Sequence, residues 1–122
     1  MSLAPEHLDD PVTRHMRRDF VAVGEQQTVA EALAGIRGRP PEGSIVYFYV
    51  TDPEGRLTGV VSTRALLTAP LDRRIAQVMD SKVVSLPDSF TVLEACELFV
   101  LHKYLAFPVV DARRRLLGVV DV

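Results

Sequence analysis

At 122 residues the chain can form one compact domain or two very small halves sharing a core, because a unit of about 60 residues is near the size at which burial becomes marginal. A hydrophobic fraction of 48% excludes a disordered chain, and a formal net charge of −2 gives no global field that would draw it to nucleic acid. No apolar run approaches the roughly 18 residues of a membrane span, no signal peptide is present, and the lone Cys96 excludes an intramolecular disulfide, so a soluble chain in a reducing compartment is expected.

In chain order, residues 1–11 read as an added leader, Met1-Ser2-Leu3, followed by a linker. Phe20–Val23 is a short strand. Thr28-Val29-Ala30-Glu31 is a capping box that opens a helix, and Val29, Ala32, Leu33 and Ile36 repeat at helical spacing behind it. Arg37–Gly43, with its Pro-Pro pair, is a loop. Ile45–Thr51 is a nearly continuous apolar run, as in a strand covered on both faces. Asp52-Pro53-Glu54-Gly55 is a turn, Leu57–Val61 the returning strand, and Thr63–Thr68 a short helix stopped by Ala69-Pro70. Leu71–Gln77 joins this half to the next.

The second half repeats the first. Met16, Val21, Thr28, Val29, Glu31 and Ala32 recur as Met79, Val84, Thr91, Val92, Glu94 and Ala95, each 63 positions on. Asp52, Leu57 and Gly59-Val60-Val61 recur as Asp111, Leu116 and Gly118-Val119-Val120 at an offset of 59, so the first copy carries four extra residues within Gly35–Ser44. Val83–Leu86 is thus a strand, Thr91–Glu94 a second capping box, and Val92, Ala95, Cys96, Phe99 and Val100 its core-facing stripe. Ala106–Asp111 and Leu116–Val120 are the remaining strands. The expected fold is mixed α/β, two small sheets flanked by helices and related by a pseudo-two-fold, with repeat 1 at 12–70 and repeat 2 at 71–122. The second copy ends before its last helix, so the native protein is expected to continue.

This repeated layout, with Gly-Val-Val closing the third strand of each copy, resembles a tandem pair of CBS domains over about Val12 to Val122. The stretches FVAVGEQQTVAEAL, FYVTDPEGRLTGVVSTRALL, VMDSKVVSLPDSFTV and FPVVDARRRLLGVV carry the likeness. Within that class the chain is most similar to the cytosolic regulatory pair of MgtE-type magnesium transporters. The resemblance implies a regulatory, non-enzymatic module and a homodimer formed through CBS helices. It also implies a transmembrane transporter domain in the full-length protein, with this region on the cytosolic side of the membrane.

The resemblance also implies ligands. In such pairs a Ser/Thr-x-x-Asp at the start of the last helix serves ATP or AMP, the hydroxyl and helix N-terminus meeting phosphate and the Asp meeting ribose. Here Ser62 and Arg64 fit, but Ala65 stands where the Asp is expected, a loss of two charge-assisted hydrogen bonds of roughly 1.5–3 kcal/mol each. Tyr47 and Tyr104 match positions of rings near adenine, with packing as the competing role. For Mg2+ the family pools carboxylates. Asp121 is the candidate in this chain, while Lys103 stands where the family has an acid and Leu93 is apolar at another such place.

Other features are weaker. His7, Asp9, Asp10 and His15 imitate a metal site, but no second ligand group follows at zinc spacing. His102 suits the end of a helix dipole. Arg113-Arg114-Arg115 reads as a solvated turn, and Arg17-Arg18 lacks the aromatic interleaving of a nucleic-acid surface. No Ser-His-Asp arrangement, P-loop or HExxH is present. An adenine-nucleotide-sensing module of a soluble enzyme and a ligand-free dimerisation module remain the alternatives to a transporter's sensor.

Overall fold

The computed structural model describes residues 5–41 and 47–121. The leader Met1-Ser2-Leu3, the tip of the insertion loop, Ile45 and Val122 lie outside them. The architecture is mixed α/β, with two three-stranded sheets. The first sheet has the order β1-β2-β3, from Ala22–Gly24, Tyr47–Thr51 and Leu57–Ser62; the second has β4-β5-β6, from Leu86–Pro87, Ala106–Val110 and Leu116–Asp121. In each sheet the first pair is parallel and the second antiparallel. Among the described residues four α-helices accompany them: α1 (Val29–Gly38), α2 (Thr63–Thr68), α3 (Ile75–Val78) and α4 (Val92–His102).

Both expected capping boxes form. Thr28 Oγ1 accepts from the Glu31 amide at 3.1 Å while Glu31 Oε1 accepts from the Thr28 amide at 3.0 Å. Thr91 and Glu94 repeat the exchange at 3.3 and 3.0 Å. Each box satisfies donors that the first helical turn cannot pair internally. Helix α1 runs through Arg37 and Gly38, past the expected start of the loop. Strand β4 is only two residues long, Leu86–Pro87, so of the expected strand Val83–Leu86 only Leu86 joins the ladder. On α4 the expected stripe is rotated: Val92 and Ala95 are buried and Phe99 is half-buried, but Val100 is 79% exposed, its place taken by Leu98.

The chain divides into two compact units, and they do not follow the order of the halves. One contains Asp19–Val83; the other joins the segment up to Arg18 with the chain from Val84 onward. The segment leading into each repeat therefore packs with the other repeat. In the Asp19–Val83 unit the amides of Val29 and Ala30, at the start of α1, donate to the carbonyls of Arg73 and Leu71 at 2.8 and 3.0 Å, and Ile75 donates to Gln27 at 2.8 Å. In the other unit Val92 and Leu93 donate to Asp10 and Leu8 at 2.9 and 3.0 Å, and Val12 donates to Phe90 at 2.8 Å. The same 63-residue offset relates every one of these partners. Residues 8–11 are thus part of the repeat's hydrogen-bonded frame, and so is the connecting segment that contains α3.

Each leading segment also supplies a core residue with no exposed surface. Ile75 sits with Val23, Val29, Ala32, Phe48, Val50, Val61 and Leu66; Val12 sits with Leu86, Ala95, Phe107, Val109 and Val120. The segment then crosses the third strand at the glycine of Gly-Val-Val. Arg17 and Val119 exchange backbone bonds at 2.7 and 2.9 Å, as Asp80 and Val60 do at 2.8 and 3.0 Å. A Cβ on Gly118 would stand 2.6 Å from the Arg17 carbonyl oxygen and 2.8 Å from Met16 Sδ. On Gly59 it would stand 2.5 Å from Met79 Sδ but 3.1 Å from the Asp80 oxygen. A methionine side chain can move aside and a hydrogen-bonded carbonyl cannot. Gly118→Ala is therefore expected to destabilise by about 3 kcal/mol and Gly59→Ala by about 1 kcal/mol, the two ends of the usual overpacking range. Urea unfolding of both variants checks the order.

The turns after β2 and β5 share one device. Asp52 Oδ1 accepts from the amides of Glu54 and Arg56 at 2.9 and 3.0 Å, and Oδ2 from Arg56 Nε at 2.8 Å. Asp111 does the same with Arg113 and Arg115 at 2.9, 2.9 and 2.8 Å, so Arg115 is committed to the turn it belongs to. These donors, the Arg115 amide foremost, hold the Asp111 carboxyl below its usual 3.8. The folded state thus favours the charged form, and the stability this gives is present above 3.8 and is lost as pH falls through the depressed value. Asp111→Asn should lower the melting temperature at neutral pH, with the gap to the unmodified chain closing below that point. In the first turn the left-handed position is Gly55 at φ +82°; in the second it is Arg114 at φ +63°. Arg114→Gly should stabilise by about 1 kcal/mol, read by denaturant midpoint, since the Cβ strain exceeds the entropy that glycine adds to the unfolded chain.

Candidate ligand site

The junction of β3 and α2 brings together three of the residues expected to hold a nucleotide. Ser62 closes β3 and caps α2, its hydroxyl oxygen accepting from the Ala65 amide at 3.1 Å. A hydroxyl that accepts in this way keeps its proton to donate. Tyr47 opens β2 and lies directly across the antiparallel pair from Ser62, half-buried. Arg64 follows on the exposed side of the first turn of α2. Ala65 is half-buried and packs against the first core, which explains an apolar residue there. Tyr104 belongs to the other unit. It stacks on His102 at 5.6 Å and 19°, leans on Phe107 at 5.4 Å, and remains 40% exposed.

Asp121 stands at the repeat position of Ser62. Its Oδ2 accepts from Arg17 Nε at 2.8 Å, so the carboxylate is neutralised by a guanidinium before any cation arrives. Lys103 is explained by the backbone. It is the C-cap of α4 at φ 57°, and its amide donates to Phe99 at 2.9 Å. Burial pushes the Cys96 thiol up from its ordinary value, which suits a packing residue better than a nucleophile.

Two features were not legible, or barely so, in the sequence. One is a cleft of about 440 Å3 between the β1 strand and α1, lined by Phe20, Val21, Ile36, Arg39 and Pro40 among others; none of Ser62, Arg64, Tyr47 or Tyr104 reaches it. Its walls come from a strand start and a helix end that no spacing rule links. The other is the convergence of His7, Asp10 and His15. Asp10 Oδ2 lies 3.2 Å from His7 Nδ1 and 3.0 Å from His15 Nε2, whereas Asp9 is exposed and outside the group. The bonds to His15 and then His7 hold the Asp10 carboxyl below its ordinary range. Among the described residues this is the one set of three or more His, Cys, Asp or Glu side chains close enough to share an ion.

The CBS domain family matches residues 12–72 and again 75–122. The magnesium transporter MgtE of Thermus thermophilus is 38% identical over 88% of the chain and 24% of its own length. MgtE of Enterococcus faecalis is 30% identical over 93% of the chain and 25% of its own. The chain thus spans about a quarter of the length of these relatives. Among solved structures, the cytosolic domain of the Mg2+ channel MgtE in complex with ATP superposes with a TM-score of 0.81 at 39% identity, over 88% of this chain and 44% of that one. The soluble part of a magnesium transporter gives 0.84 at 31%, over 95% and 46%. With both of its copies matched and the fold shared, the chain belongs to the CBS domain family.

Proposed function

We propose that the chain is the regulatory CBS pair of a magnesium transporter, held on the cytosolic side of the membrane, where it senses adenine nucleotide and Mg2+ and gates transport. One observation carries the reading: the 38% identity to a magnesium transporter that extends over 88% of the chain. The crossing of the membrane falls to another part of the protein, because no described helix is long and apolar enough to span it.

For ATP or AMP, Ser62 would donate its hydroxyl and Arg64 its charge to phosphate, with Tyr47 offering a ring face to the base. The ribose loses the acid that Ala65 replaces, which predicts weak binding. Ala65→Asp should tighten AMP or ATP by about tenfold or more in calorimetry, once its melting temperature shows that the half-buried site accepts the acid. Unchanged affinity in a folded variant would move the ligand elsewhere, the cleft beside β1 being the next candidate.

The described carboxylates fit Mg2+ poorly. Asp121 is paired with Arg17, and no set of three acids converges among the described residues. Magnesium sensing on this reading draws its carboxylates from other segments of the transporter. Millimolar MgCl2 should therefore shift the melting temperature no more than NaCl of equal ionic strength.

The homodimer is proposed through α4. Val100 and Leu101 are 79% and 73% exposed there and flank a shallow apolar depression with Cys96, with Leu105 at 56% just beyond the helix. Apolar surface of this kind on a helix marks an interface, and a two-fold pair is the commonest closed assembly. Leu101→Asp should convert a sedimenting dimer to a species of one chain's mass.

A further inference from the structure

We infer that His7, Asp10 and His15 form a site for a divalent transition-metal ion of the zinc type, which cross-links the two short turns of the N-terminal segment. The three ligand atoms lie within 4.8 Å of one another, and the two contacts to Asp10 Oδ2 are 3.2 and 3.0 Å. Around a tetrahedral ion with bonds of about 2.0–2.1 Å, neighbouring donors sit about 3.3–3.4 Å apart, so the two contacts to Asp10 Oδ2 need to open by only about 0.1–0.4 Å, while the two ring nitrogens adjust from a separation within 4.8 Å. The two imidazoles meet edge to face at 5.1 Å and 69° and share the space beside the carboxylate. Two ring nitrogens and one carboxylate oxygen select zinc-like ions over Mg2+, which wants oxygen throughout. A water or an outside donor takes the fourth position.

The frame behind the three side chains is fixed. The Asp10 amide donates to the His7 carbonyl at 3.1 Å and the His15 amide to that of Val12 at 3.0 Å, while Val12 is fully buried. The Asp10 carbonyl accepts from Val92, so the carboxylate and the first turn of α4 share one residue. Arg14 Nη1 holds the other oxygen, Oδ1, at 3.3 Å, an outer contact that orients the carboxylate and leaves Oδ2 to the rings. Asp10 and His15 are only 20% and 17% exposed, and His7 at 38% leaves an entry side.

The repeat itself argues against a purely architectural role for the triad. The corresponding positions in the connecting segment are Pro70, Arg73 and Val78. That segment closes the same turn, Arg73 to Pro70 at 3.2 Å, and docks on α1 through the same bonds without any of the three. The fold builds this segment either way, so the His-Asp-His set is an addition to one copy. To bind the ion, Nδ1 of His7 and Nε2 of His15 must each be the unprotonated nitrogen of its ring, with the ring's proton on the other nitrogen.

Calorimetry with ZnSO4 on the chain without a polyhistidine tag tests this. Saturable binding at one ion per chain, a rise in melting temperature reversed by chelator, and no such rise with MgSO4 are expected. His7→Gln and His15→Gln should each weaken Zn2+ by at least tenfold, while Asp9→Asn and Cys96→Ser leave it unchanged. Should either histidine variant fail to fold by circular dichroism, imidazole NMR of the unmodified chain decides, with the His7 and His15 resonances shifting on Zn2+ addition. Absence of saturable Zn2+ binding, unchanged affinity in folded His7→Gln and His15→Gln, loss of binding in Cys96→Ser, or shifts at His102 alone would overturn the site.

Discussion

The whole architecture depends on two close backbone crossings, where the segment leading into one repeat lies against the Gly-Val-Val strand of the other. The Arg17 carbonyl leaves no room for a Cβ at Gly118, and the Asp80 carbonyl with Met79 nearly excludes one at Gly59. Everything else in each unit is arranged around that approach. The leading segment brings a fully buried aliphatic residue, Val12 or Ile75, to the core. It also supplies carbonyls to the first amides of the long helix. A helix start that would rely on its capping box alone thus gains two backbone partners as well, so strand, cap and core are held by a single strip of chain.

That arrangement bears on the candidate sites. Ser62 and Asp121 occupy the same place in the two copies, but the partner strip differs: Arg17 lies where the other copy has Asp80. The basic residue claims Asp121 and turns it into a fastening of the strip. Ser62, a hydroxyl beside an exposed Arg64, caps α2 and keeps its own proton to donate. Divergence between two nearly identical frames has thus left a capping hydroxyl at one junction and an ion-paired carboxylate at the other. The same logic separates His7, Asp10 and His15 from Pro70, Arg73 and Val78.

The fold class and both capping boxes were readable in the chain because they rest on local rules: hydroxyl and carboxylate at fixed spacing, and alternation or helical period of apolar residues. The Asp52 and Asp111 turns were readable for the same reason. What stayed hidden was long-range. No propensity states that residues 8–11 pair with Val92 and Leu93, so a segment that looks like a linker is a structural strip. Val100 was assigned to the core because its spacing suits α4 as well as that of Leu98 does; only packing against Phe107 and its neighbours selects between them. Ser62, Arg64 and Tyr47 are neighbours because Arg64 follows Ser62 in the chain and the antiparallel register sets Tyr47 across from it. The His-Asp-His group depends on how two short turns fold back, which spacing alone does not convey.

The exchange of leading strips also sets a calendar for synthesis. All of Asp19–Val83 is contiguous, so that unit can close as soon as its own residues have left the ribosome. The other unit must join residues as far apart as Arg17 and Asp121, a separation of 104 positions. Its leading strip is made before the contiguous unit and used only after it. It therefore waits, with Val12 and Met16 exposed, while the neighbouring unit folds in between, and the entropy of closing that loop falls due in a single late step. A chain stalled before Asp121 is made would carry one finished unit and one unclaimed apolar strip, a natural target for chaperones.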